Sequence, residues 1–84
     1  MDEKYYLWIQ SECSFCSLAQ EEMVNRKLTH ITYIMDNQLV ELEAVKQKWD
    51  WSTVPIIVHE NAGGNLNLIG GYSDFLEWVK KENK

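Results

Sequence analysis

One α/β domain spanning residues 1–84, with a four-stranded mixed sheet flanked by three helices in the order β-α-β-α-β-β-α, is what this sequence predicts. Three observations carry the expectation. Short runs of branched and aromatic residues recur along the chain, as buried strands require. Between them lie stretches whose apolar residues repeat at three- and four-residue steps, the stripe of an amphipathic helix. Paired glycines near the C-terminal end close a hairpin and open a last helix.

Tyr5-Tyr6-Leu7-Trp8-Ile9 reads as a first, buried strand. Glu12 to Ser17 turns the chain. Cys16, Ala19 and Met23 follow at i, i+3 and i+7 with Val24 beside them, predicting a helix with these residues inward that runs to about Lys27. His30-Ile31-Thr32-Tyr33-Ile34-Met35 is a second strand. Asp36 or Asn37 is placed to cap a second helix whose inner face carries Leu42, Val45 and Trp49. Pro55, the only proline, directly precedes a third strand, Ile56-Ile57-Val58-His59. Glu60 to Asn65, with Gly63-Gly64, turns into a short strand from Leu66 to Ile69. After Gly70-Gly71, Ser73 is expected to cap a last helix with Phe75, Leu76 and Val79 inward and a charged tail from Lys80 to Lys84. The first half is a strand-helix-strand unit, for which a right-handed crossover between parallel strands is expected. The second half is a hairpin plus a helix.

Charge and composition narrow the function. Apolar residues at 45% and charged residues at 25% are those of an ordinary globular chain. A net charge of -5 with only eight Lys plus Arg argues against nucleic acid or an anionic membrane as partner, since both need a basic face. Tyr5 to Ile9 and Val54 to Val58, the longest apolar runs, are too short to span a bilayer. Met1-Asp2-Glu3-Lys4 lacks the basic start and apolar stretch of a secretory signal. A cytoplasmic protein is expected, in a compartment that keeps thiols reduced.

The two cysteines, Cys13 and Cys16, stand three positions apart where the first helix begins. A metal site, a structural staple and a working redox pair are the candidates. Tetrahedral zinc wants four ligands, and C-x-x-C supplies two. His30 and His59 are far apart on separate strands, and neither a second C-x-x-C nor a closely spaced histidine pair is present. They read more simply as strand residues facing solvent or holding one hydrogen bond each, and no metal is expected. A staple across so short a loop removes little unfolded-state entropy. Redox chemistry fits the spacing best. A three-residue step at a helix start brings two sulfurs within bonding reach, about 2 Å. The first cysteine sits where free N–H groups and the helix dipole favour negative charge, which lowers its thiol pKa. Cys13 would attack a disulfide, and Cys16, one turn in and less exposed, would resolve the mixed disulfide.

"CSFC" after the first strand, "TVP" before the third and "GGYSDF" at the last helix occur in this order, and together they resemble the glutaredoxin family over nearly the whole chain. "GGYSDFLEWVKKEN" is similar to the C-terminal end of bacterial glutaredoxins. The resemblance implies a thioredoxin-like fold with a cis proline, here Pro55, facing the cysteine pair. It implies a glutathione-dependent thiol-disulfide oxidoreductase of the dithiol type, with glutathione as cosubstrate and no tightly bound cofactor. Thr53, Val54, Pro55, Gly71, Tyr72, Ser73 and Asp74 would bind glutathione. The Val54 backbone would pair with the tripeptide as a strand edge does, and Gly70-Gly71 would let the backbone approach it closely. The free N–H groups at Ser73 and Asp74 would hold the γ-glutamyl carboxylate, and the Asp74 side chain its ammonium. Disulfide-containing proteins would be the clients, with ribonucleotide reductase suggested among them, and a monomer is expected.

The chain departs from the family's pattern in four places. Ser14 and Phe15 replace the Pro and Tyr of the common C-P-Y-C, which makes the loop less rigid. Some members with Ser there bridge two chains through a [2Fe–2S] cluster, with glutathione as co-ligand. The alternative function is therefore a cluster-bridged dimer, ligated through Cys13, acting in cluster transfer or redox sensing. Gln10 stands where a Lys or Arg often precedes the cysteines, leaving Lys46 and Lys48 as candidate substitutes. The hairpin Glu60 to Leu68 is longer than usual and is expected to be a solvent loop without a chemical role. In Trp49-Asp50-Trp51, Trp51 falls where the family often carries basic residues. It is either core at a helix end or, with Phe15, a groove wall for a protein partner.

Overall fold

A computed structural model of the chain describes residues 3–82, so Met1, Asp2 and the end of the expected charged tail, Asn83 and Lys84, lie outside the described residues. The elements are β1 (Lys4–Ile9), α1 (Ser14–Asn25), β2 (His30–Ile34), α2 (Leu39–Trp49), β3 (Ile56–Glu60), β4 (Leu66–Gly70) and α3 (Tyr72–Glu82). The strands form one sheet in the order β2-β1-β3-β4. β1 and β2 run parallel with Leu7 opposite Thr32, as a crossover through α1 requires. β3 is antiparallel to both β1 and β4, with Leu7 opposite Ile57 and His59 opposite Asn67. This connectivity and strand order, with helices on both faces, is a thioredoxin-like fold, as the resemblance implied.

Strand alternation sorts the side chains into two cores. Tyr5, Leu7 and Ile9 on β1 and Ile57 on β3 point to one face, where Cys16, Ala19 and Met23 of α1 and Phe75 and Val79 of α3 cover them. Each fully buried Leu, Ile or Phe in that layer removes enough apolar surface from water to contribute about 1.5–3 kcal/mol. On the other face a smaller cluster of Met35, Leu42 and Ile56 holds α2, with Trp8, Val45, Trp49, Trp51 and Leu68 partly buried around it. Among the described residues no helix is long and apolar enough to cross a membrane.

Helix ends account for the boundary differences. α1 stops at Asn25 because Lys27 takes a left-handed backbone (φ 56°), its N–H bonding Val24 O at 3.0 Å while the Leu28 N–H bonds Met23 O at 2.9 Å. That paired closure ties Leu28 back over the end of the helix and onto the core. Val24 is not inward as expected. It is 64% exposed, because the α1 stripe that meets the sheet is only as wide as Cys16, Ala19 and Met23. Gln38, not Asp36 or Asn37, stands at the N-cap of α2 and makes no side-chain cap bond. α3 begins at Tyr72, one residue before the expected cap Ser73, so Gly71 takes the cap position and its C=O accepts from Phe75 N–H at 3.0 Å. The β3–β4 turn is closed locally: Asn61 Oδ1 accepts from the N–H groups of Gly63 (2.9 Å) and Asn65 (3.0 Å). His30 Nδ1 donates to Leu28 O at 2.8 Å, and His59, buried between Tyr5 and Trp78, has one bond with Glu3 at 2.8 Å.

Candidate active site

Cys13 is the N-cap of α1. Its extended backbone (φ -150°, ψ 105°) ends the β1–α1 loop, and its Sγ accepts a hydrogen bond from Cys16 N–H at 3.2 Å. A sulfur in that position takes the place of the Ser or Asp oxygen that usually satisfies the free N–H groups of a first turn. Both the bond and the helix dipole favour the anion. Cys16 lies on the inward stripe of α1 and is 1% exposed, while Cys13 is half-buried and packs against the edge of the same core. The two sulfurs lie at bonding distance, with Cα atoms 5.2 Å apart.

The strand that faces them is set by the end of α2. Asp50 adopts a left-handed backbone (φ 53°), its N–H bonding Gln47 O at 3.3 Å, and Trp51 N–H returns to Lys46 O at 2.9 Å. The chain therefore leaves the helix at Trp51 and runs through Thr53 and Val54 into Pro55, whose bond to Val54 is cis. The Val54 carbonyl oxygen lies 3.9 Å from Cys13 Sγ. From the third direction comes the start of α3. Asp74 Oδ2 accepts from Gly71 N–H at 2.9 Å, an N3 side chain satisfying the N-cap donor. Gly70, at φ 124°, leaves the room that this carboxylate occupies.

These three segments enclose a cleft of about 260 Å³ lined by Phe15, Trp51, Thr53, Val54, Pro55, Tyr72, Ser73 and Asp74. Gly71 adjoins these residues: a Cβ there would come to 3.9 Å from both Pro55 O and Trp51 Cζ2. Of the residues singled out for the site in the sequence, Phe15, Trp51, Thr53, Val54, Pro55, Tyr72, Ser73 and Asp74 line this one cleft, Gly71 adjoins it, Cys13 lies beside Val54 at its edge, and Cys16 is buried in the core. Phe15 is 59% exposed and stacks on Tyr72 across it, ring centroids 6.1 Å apart. Trp51 unites the two readings it was given: it packs on the Met35, Leu42 and Ile56 cluster and also forms a wall of the cleft. Its indole Nε1 is buried with no hydrogen-bond partner among the described residues.

Neither candidate lysine takes the place of the missing cation at Gln10. Lys46 lies beyond Trp51, in a hollow shared with Glu43 and Asp50. Lys48 sits over the Trp49 ring at 5.4 Å and borders a separate aromatic groove of about 350 Å³ that includes Tyr6, Trp8 and Tyr33. One contact of the loop that carries Cys13 was not visible in the sequence. Ser11, on the loop that carries Cys13, donates its N–H to Asp36 Oδ1 at 2.9 Å and its hydroxyl to Asp36 Oδ2. These bonds, the hydroxyl first, hold the Asp36 carboxyl below the usual carboxylate range. They also explain why Asp36 does not cap α2. The partners are 25 residues apart, so no local pattern announces the pair.

Comparison with protein-family models finds no match, and comparison with curated proteins finds none.

Proposed function

We propose that this chain is a glutathione-dependent thiol-disulfide oxidoreductase of the glutaredoxin type, working in the cytoplasm as a monomer through the Cys13/Cys16 dithiol. The observation that carries the reading is the placement of Cys13 Sγ: at the N-cap of α1, accepting from Cys16 N–H, and 3.9 Å from the Val54 carbonyl. The Cys13 thiolate attacks one sulfur of a client disulfide. That S–S bond breaks, a Cys13–client disulfide forms, and the departing thiolate takes up a proton. Cys16 then loses its proton and attacks Cys13, releasing the client's second sulfur as a thiol and leaving Cys13 bonded to Cys16. Two electrons have passed to the client. Two glutathione molecules restore the dithiol, the first attacking the protein disulfide and the second displacing it as glutathione disulfide. Disulfide-bearing proteins are the client class, with ribonucleotide reductase among those the resemblance suggests.

The difference in burial between the sulfurs supports the division of roles. Cys13 is reachable and Cys16 is not, so Cys16 acts only on what Cys13 has already bound. Cys13→Ser is expected to abolish turnover of a glutathione mixed disulfide. Cys16→Ser is expected to keep part of it, since a second glutathione can resolve the intermediate. An active Cys13→Ser beside a dead Cys16→Ser would overturn the assignment. The cluster-bridged alternative would draw on Cys13, the more accessible sulfur, for one ligand from each chain. Among the described residues no group of three or more potential metal ligands is assembled, so glutathione and a second copy would have to complete the set. A brown dimer from anaerobic purification with glutathione would favour that reading over the enzyme.

A further inference from the structure

β2 lies at one edge of the sheet, so one side of His30–Ile34 has no neighbouring strand. Charged side chains, proline or a bulge usually blunt such an edge. His30-Ile31-Thr32-Tyr33-Ile34 has no acidic residue, Lys, Arg or Pro, and its ladder on β1 is regular. The opposite edge, β4, is irregular: its register on β3 shifts between Ile57 and Val58. On β2 the side chains of Ile31, Tyr33 and Ile34 are all exposed. The backbone is equally open. Tyr5 N–H bonds Thr29 O and Met35 N–H bonds Ile9 O, each at 2.9 Å, with Leu7 opposite Thr32. That parallel ladder turns the N–H and C=O groups of Ile31 and Tyr33 toward β1 and those of His30, Thr32 and Ile34 away from the sheet.

We infer that this edge pairs with the same edge of a second copy of the chain, antiparallel about Thr32, so that the two sheets run on as one. The inference goes beyond the oxidoreductase reading and does not depend on it. In that register the strand is self-complementary. Thr32 faces its own counterpart and His30 faces Ile34 of the other copy, so every outward N–H and C=O on the two strands finds a partner. Between them Ile31 faces Tyr33 of the other copy at the closer, non-hydrogen-bonded spacing. That sets a branched side chain against an aromatic one and extends the row in which Tyr33 stacks on Trp8, ring centroids 5.3 Å apart. Charge selects the direction. Lys27 precedes the strand and Asp36 follows it, so antiparallel neighbours set unlike charges end to end, and parallel ones would set like against like. None of the residues lining the Cys13 cleft lies on β2, so each copy keeps its own cleft and turns over as a single chain. The seam is narrow, below the roughly 1,200 Å² of a stable interface, and the pair forms only at high concentration.

The test follows the full chain, reduced and free of iron and glutathione, by sedimentation equilibrium from about 10 µM to about 1 mM, a range that brackets a weak interface. The average mass is expected to rise from that of one chain toward that of two. Amide hydrogen exchange at the two ends of the range reads the register. His30, Thr32 and Ile34 should gain about tenfold protection at the high end, while Ile31 and Tyr33, already bonded to β1, stay as they are. Ile34→Lys, at an exposed position, should weaken association about tenfold or more, because symmetry repeats the change on both sides of the seam. Val24→Lys, on α1 and of similar exposure, should leave it unchanged. A single chain's mass at every concentration would overturn the inference. So would a dimer with unaltered exchange on β2, or one that Val24→Lys breaks as readily as Ile34→Lys.

Discussion

Replacing Gly70 with alanine tests how the cleft's third wall is built. Gly70 has φ 124°, a backbone that L side chains rarely adopt. A Cβ there would lie 2.7 Å from Asp74 Oδ2, 2.9 Å from Cγ and 3.1 Å from Cβ. The contact is with the base of a short side chain as well as its tip, so rotation of the carboxylate alone does not relieve it. Two costs follow. Holding a non-glycine residue at this φ costs about 1–3 kcal/mol. Displacing Asp74 from Gly71 N–H forfeits a helix cap, about 0.5–2 kcal/mol. Their sum is on the order of 2–4 kcal/mol, or roughly 10–25 °C in Tm for a domain of this size. Urea denaturation should show the midpoint falling with the slope unchanged. A double-mutant cycle separates the terms: in an Asp74→Ala background Gly70→Ala should cost about 1 kcal/mol less, because the cap is already gone and only the 3.1 Å contact with the Cβ of residue 74 remains. A loss below about 0.5 kcal/mol, the range of an ordinary surface change, would refute the reasoning, as would strict additivity.

Asp36→Asn should loosen the loop that carries Cys13, and the effect should depend on pH with a fixed sign. The folded carboxyl is held below its ordinary value, so the stabilisation is present above that value, 3.8, and is lost as the pH falls through the lower folded one. Urea midpoints of wild type and variant should differ at pH 6 and converge in strong acid; a gap that widens on acidification would contradict the assignment. In α1, Met23→Ala should cost about 2–5 kcal/mol and Val24→Ala less than about 0.5 kcal/mol, read by the same denaturation. Equal costs would mean that the helix presents a different face to the sheet.

Most of the fold was legible because its strands are short apolar runs set off by turn residues, and those signals are local. The cysteine spacing was local too, as was the Pro55 position, and both fell where the resemblance implied. What local reading missed was decided by contacts across the chain. Val24 looks inward on a helical wheel, yet α1 meets the sheet over a narrower arc than the wheel suggests. Asp36 looks like a cap until Ser11, from the preceding loop, takes both of its oxygens. Ser73 has the right chemistry for a cap, but the glycine before Tyr72 already turns the chain and Asp74 satisfies that turn. His59 has no sequence signal for burial; only packing places it between Tyr5 and Trp78.

The two unequal cores divide the work of the cleft between a firm wall and a yielding one. Cys16 is anchored in the layer shared by α1 and α3, which is the larger of the two. Trp51 leans on the thin layer that retains α2. Local opening is cheapest where the least apolar surface is lost, so opening the layer beneath Trp51 is expected to cost less than opening the layer that holds Cys16. On the oxidoreductase reading proposed above, substitutions under α2 would retune which molecules fit the cleft while leaving the Cys13/Cys16 pair in place.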